Sequence, residues 1–127
     1  MDYTGCQVFV VEDDDAVRDS LVLLLQSIYK NVNDYASGTL FLENHVLQQR
    51  NCLVLDLHLQ DMSGLKVLQE LMARGLRIPS VLMSALVNPS LHVFAREYGT
   101  LAVLEKPLDH ARLLSSIDQA LEITRPP

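Results

Sequence analysis

No part of this 127-residue chain is apolar for long enough to cross a bilayer. Its longest uninterrupted apolar run, Leu21 to Leu25, falls far short of the roughly 20 residues a membrane helix needs. The opening residues, Met1-Asp2-Tyr3-Thr4, lack the basic and apolar regions of a secretory signal. A cytoplasmic protein is therefore expected. There is no basic stripe, and the formal net charge is -6, which argues against direct nucleic-acid binding by this chain. Cysteine is scarce. Cys6 and Cys52 have no close spacing that would make a zinc site, and a disulfide between them is not expected in a reducing compartment. The histidines at 45, 58, 92 and 110 show no paired ligand spacing. His45, His92 and His110 read as exposed helix or loop residues. Internal repeats, low-complexity segments and interrupting linkers are also missing. No glycine-rich turn follows the first apolar run, which sets aside a dinucleotide-binding fold.

What the chain does have is a regular alternation. Its hydrophobic content of 49% suits one domain with a substantial core. Apolar runs of strand length fall at Gln7–Val11, Val32–Tyr35 (the weakest), Cys52–Asp56, Ser80–Met83 and Leu101–Leu104. Between them lie amphipathic stretches. The first carries Val17, Leu21, Leu24, Leu25 and Ile28 at helical spacing. Ser37 reads as the N-cap of a second helix carrying Leu40, Phe41 and Leu47. Ser63-Gly64 opens a third with Leu65, Leu68, Leu71 and Met72 inward, stopped by Gly75. Asn88-Pro89 reads as an N-cap with proline in the first helical position, opening a helix with Val93, Phe94 and Tyr98 that ends at Gly99. Asp109 starts the last, with Leu113, Leu114, Ile117 and Leu121.

Five βα units predict an α/β fold with a parallel sheet covered on both faces. Right-handed crossovers favour a flavodoxin-like doubly wound five-stranded sheet, order 2-1-3-4-5, with five helices. The domain is expected to span residues 1–124, with 125–127 as a tail or linker stub.

Each of three apolar runs delivers charge at its end. Glu12-Asp13-Asp14 follows the first, Asp56 closes the third, and Glu105-Lys106-Pro107 follows the fifth. Ligand crevices of open parallel sheets lie at the carboxyl ends of the strands, so these groups can meet there. Clustered carboxylates repel one another unless a cation joins them. Magnesium suits such a site, because it takes one or two carboxylates, keeps waters and bridges to phosphate. The same acids could simply favour a helix N-terminus, which is the plain reading of Asp14 and Asp15. Asp56 could cap a turn or act as a nucleophile forming an acyl phosphate. Lys106 suits a phosphoryl oxygen, or a salt bridge to Asp13 or Asp56. Ser84, closing the fourth strand, could donate a hydrogen bond to a phosphoryl oxygen or sit idle in a loop.

Taken in order, Val11-Glu12-Asp13-Asp14 with Val17-Arg18, Val54-Leu55-Asp56, Asp61-Met62-Ser63-Gly64, Met83-Ser84-Ala85 and Glu105-Lys106-Pro107 resemble the receiver family of two-component response regulators. The phrasing of Asp61-Met62-Ser63-Gly64-Leu65 and Glu105-Lys106-Pro107 is similar to receivers joined to helix-turn-helix transcription regulators. The resemblance implies that Asp56 is the phosphoacceptor. It implies that Asp13 binds Mg2+ directly, Glu12 mostly through water, and His58 through its backbone carbonyl. Ser84 and Lys106 would contact the phosphoryl group. The Lys106-Pro107 bond would be cis. The donor would be a sensor histidine kinase or a histidine phosphotransfer domain. Output would pass to an effector domain beyond Pro127, to a separate protein, or through homodimerisation on phosphorylation. Such a domain is not an enzyme, although it assists its own phosphorylation and dephosphorylation.

The chain departs from the family pattern in three places. Gln60 stands where most receivers have proline. Val103 stands where they usually carry a switching aromatic ring, three residues before the lysine. Glu12 replaces the first aspartate of the acid pair. Two rival readings follow from the residues. A receiver-shaped interaction module would need no phosphate, as Gln60 and Val103 allow. An aspartyl-nucleophile phosphohydrolase would use Asp13-x-Asp15, loosely similar to the haloacid-dehalogenase motif, but the fifth strand delivers lysine where that family needs acids.

Overall fold

The five apolar runs become five parallel strands in a computed structural model that describes residues 2–47 and 50–123. The strands are β1 (Cys6–Val11), β2 (Val32–Tyr35), β3 (Arg50–Asp56), β4 (Ser80–Ser84) and β5 (Thr100–Glu105). Between and after them run α1 (Asp15–Gln26), α2 (Gly38–Asn44), α3 (Gly64–Ala73), α4 (Pro89–Arg96) and α5 (His110–Ile123). The sheet order is β2-β1-β3-β4-β5, as the alternation predicts. The 124 boundary and the 125–127 stub lie outside the described residues.

Helix starts follow capping chemistry. The Asp14 side chain accepts from the Val17 N–H, Ser37 from Leu40, Ser63 from Leu65 and Asn88 from Leu91. Pro89 occupies the first turn of α4, where its missing N–H costs nothing. Gly75, at φ 74°, lets the chain turn out of α3.

Alternation along the strands divides the core in two. Val8, Val10, Cys52, Val54, Val81, Met83 and Leu104 face α1 and α5, meeting Leu21, Leu25, Leu113, Ile117 and Leu121. Phe9, Val11, Leu53, Leu55, Leu82 and Val103 face the other helices, meeting Phe41, Val67, Leu68, Leu71 and Ala95. Both faces being covered is why the strands read as unbroken apolar runs. Cys6 and Cys52 are buried and free, as expected.

The inward helix faces differ from the sequence reading in detail. In α2, Gly38, Phe41 and Leu42 are buried, whereas Leu40 is exposed and Leu47 lies beyond the helix, also exposed. The helix ends at Asn44 because the backbone turns extended at His45. His45 is half-buried rather than exposed, its ring stacked on Phe41 with centroids 4.8 Å apart. In α3, Val67 is fully buried, while Leu65 packs against the margin and Met72 is half-buried. In α4 the buried residue is Ala95, and Val93 and Phe94 point to solvent.

Candidate functional site

Parallel strands end on one edge, so Glu12 after β1, Asp56 at the end of β3 and Lys106 after β5 converge there. β1 and β3 are neighbours, paired from Cys6↔Arg50 to Val11↔Leu55, so Glu12 emerges alongside Asp56. Oxygens of Glu12, Asp13 and Asp56 lie within 4.8 Å of one another. Lys106 Nζ donates to Glu12 Oε1 at 2.8 Å and to Asp56 Oδ2 at 3.1 Å. Its partners on this edge are therefore Glu12 and Asp56, not Asp13. The Lys106-Pro107 peptide is cis.

Glu12 and Asp56 are buried, with side chains 1% and 6% exposed. Burial, followed by hydrogen bonding with Asp56, pushes the Glu12 carboxyl up to about 7 against the pull of Lys106. Burial also draws the Lys106 ammonium down, but its hydrogen bonds to the two acids outweigh this and hold it above the ordinary lysine value. The edge thus holds more negative charge than one lysine balances. An all-oxygen set of carboxylates with this surplus fits a hard divalent cation such as magnesium.

The remaining expected residues are placed as follows. The His58 side chain is exposed, and the His58 backbone N–H donates to Asp56 Oδ1 at 3.1 Å. Ser84 is buried at the end of β4, with its hydroxyl donating to the Leu86 carbonyl at 2.7 Å and accepting from the Leu86 N–H. Its hydroxyl is engaged in its own turn. Val103 is buried and lies beside Leu82 in the sheet. Asp14 caps α1, and Asp15 is exposed and paired with Arg18 at 2.6 Å. The Asp13-x-Asp15 pair therefore does not present two acids to one site.

The contacts of three residues escaped the sequence reading. Arg18 donates to the Glu12 carbonyl at 2.9 Å and to Asp34 Oδ2 at 3.1 Å, tying α1 to the ends of β1 and β2. The Gln60 backbone N–H donates to Asp13 Oδ2 at 2.8 Å. Asp61 accepts from the first turn of α2. Backbone donors carry no residue signature, so the Gln60 contact had no signal in the sequence.

Comparison with known proteins agrees with this geometry. The family model for the response regulator receiver domain matches residues 8–118. The chain is 36% identical over 118 residues to the transcriptional regulatory protein TdiR of Thauera aromatica, covering 93% of this chain and 52% of that protein. It is 38% identical over 114 residues to the transcriptional regulatory protein FixJ of Azorhizobium caulinodans, covering 90% of this chain and 54% of that one. The chain thus spans about half the length of these curated relatives. Among solved structures, the response regulator StyR superposes with a TM-score of 0.87 at 35% identity, over 94% of this chain and 61% of that one. The strand order, the acid edge with its lysine, and the match across residues 8–118 agree: the chain belongs to the response regulator receiver domain family.

Proposed function

We propose that this domain accepts a phosphoryl group on Asp56 from a phosphohistidine and thereby changes its affinity for a partner. The observation that carries this reading is Lys106 Nζ held between Glu12 Oε1 and Asp56 Oδ2, beside Asp13. In the transfer, a carboxylate oxygen of Asp56 attacks phosphorus, the P–N bond breaks, and the imidazole leaves. Glu12, Asp13, Asp56 and the His58 backbone carbonyl would hold Mg2+, which supplies positive charge to the phosphoryl oxygens. Lys106 would move its donors from the acids to the phosphoryl group. Ser84 would release Leu86 and turn toward it. Val103 has no ring to follow, so the signal would travel through the segment after Ser84 into α4. The domain turns over no other substrate, although it assists its own phosphorylation and dephosphorylation.

The donor would be a sensor histidine kinase or a histidine phosphotransfer domain in the cytoplasm. A groove of about 420 Å³ between α1 and the segment after Lys106, lined by Ala16, Val17 and Leu108, adjoins the site and suits its approach. Output would go to an effector region beyond Pro127, to a separate protein, or to a second copy of the chain. The exposed Val93 and Phe94 of α4 support such a contact.

Incubation with acetyl phosphate and Mg2+ should raise the intact mass by one phosphoryl group. Asp56→Asn, or chelation of the metal, should abolish the gain. Labelling that survives either treatment would sink the assignment.

A further inference from the structure

We propose that the loop between β3 and α3 is a positioning device for Asp13: the Gln60 backbone N–H fixes the carboxylate, and the Asp61 side chain fixes the loop. This rests on the reading of Asp13 as a direct metal ligand.

Asp13 sits between the end of β1 and the cap of α1, half-buried, and among the described residues no cationic side chain pairs with it. Its anchor is the Gln60 N–H, which donates to Oδ2 at 2.8 Å. A carboxylate has two oxygens. Engaging one in a short, charge-assisted bond orients the other and removes torsional freedom before any cation arrives. The same loop gives its His58 N–H to Asp56 Oδ1 at 3.1 Å. Alternate residues, 58 and 60, thus turn their amides toward two acids of the edge.

The loop is held from behind. Asp61 accepts from the Gly38 N–H at 3.2 Å, the Thr39 N–H at 2.9 Å and the Thr39 hydroxyl at 2.7 Å. Burial works against the Asp61 charge, yet these bonds outweigh it and hold the carboxyl below its usual range. Met62 closes against Gly38 so tightly that a Cβ there would lie 2.8 Å from its side chain. The contact chain runs from α2 through Asp61 and Gln60 to Asp13.

The Gln60 side chain is exposed and takes no part in the bond to Asp13, so the role belongs to its backbone. Proline at this position has no N–H to give. Two substitutions therefore separate backbone from side chain: Gln60→Ala keeps the donor and Gln60→Pro deletes it. Titration calorimetry with MgCl2 should show Gln60→Ala binding like the unmutated domain. Gln60→Pro should raise the dissociation constant roughly three- to tenfold, as the net worth of one solvent-exposed hydrogen bond implies. Asp61→Ala should weaken binding in the same direction. The maximal phosphorylation rate at saturating Mg2+ should hold while the half-saturating Mg2+ concentration rises.

A metal-free readout accompanies these. The Gln60 amide should be protected from hydrogen exchange in chelator, and Asp13→Ala should remove that protection. Should Gln60→Pro fail to fold, Asp61→Ala and the Gln60 exchange rate decide. An unmutated domain that ignores Mg2+ would overturn the metal-site reading itself. If it binds Mg2+ while Gln60→Pro binds equally well, or Gln60→Ala binds as poorly as Gln60→Pro, the positioning role is overturned and the metal site stands.

Discussion

Lys106 is the residue on which the edge depends electrostatically. Its ammonium is the cation shared by Glu12 and Asp56, both buried. Removing one partner from a buried ion pair strands the other charge, which costs more than the pair was worth. Lys106 itself is 28% exposed, so solvent softens the effect. In chelator at pH 8, Lys106→Met should destabilise the domain by about 2 kcal/mol. At pH 5 the loss should shrink, because Glu12 can take up a proton and shed its charge. Urea unfolding at the two pH values checks this, and an equal loss at both would contradict the stranded-acid account. Glu12, Asp56 and Lys106 were legible in the sequence, since each follows an apolar strand. Ser84 was legible only as a position. The bonds that turn its hydroxyl toward Leu86 arise from loop geometry, which no spacing encodes.

At the scale of elements, the strands, their order and the caps Ser37, Ser63 and Asn88 were readable, because continuous apolar runs and capping side chains are local signals. Inward faces of short helices were less so. In α2 the sequence offers Leu40, Phe41, Leu42 and Leu47 with too few turns to fix a stripe, and the sheet takes Phe41 and Leu42. In α4, Ala95 is the buried residue, and small size hid it. The β3–α3 junction shows how tightly elements can be fitted around the site. The Gly64 N–H donates to the Leu57 carbonyl at 2.7 Å, and a Cβ at Gly64 would fall 2.6 Å from the Asp56 carbonyl oxygen and 3.0 Å from Leu57 Cα. Backbone cannot give way as a flexible side chain could. Gly64→Ala should therefore push α3 off the end of β3, at a cost of about 2–3 kcal/mol by the usual range for overpacking. It should also slow Asp56 labelling. Chemical denaturation checks the first outcome, and a variant as stable as the unmutated domain would show that the junction yields.

For the whole molecule, the acid edge should set a dependence on pH and, as proposed, on metal. The Glu12 carboxyl, ordinarily near 4.5, is raised to about 7 in the folded state. Between those values the native protein keeps a proton that the unfolded chain has released. Stability supplied by that proton is present below about 4.5 and is lost as pH rises through about 7. In chelator, the thermal midpoint should fall from pH 5 to pH 8. Mg2+ held at the folded edge, as proposed, should restore the midpoint at pH 8 by mass action, rising with concentration. Asp13→Ala should flatten that rise. Differential scanning calorimetry across both variables reads it directly, and a midpoint indifferent to Mg2+ at pH 8 would count against the site.

The edge is also among the least local features of the chain. Lys106 meets Glu12 across 94 positions and Asp56 across 50. Contacts of that span form only after the intervening loops have closed. A nascent chain still lacking β5, or a fragment nicked ahead of it, can present Asp56 without the lysine that completes its surroundings. Phosphotransfer at Asp56, as proposed, would in this sense certify finished folding, withheld from unfinished chains by topology.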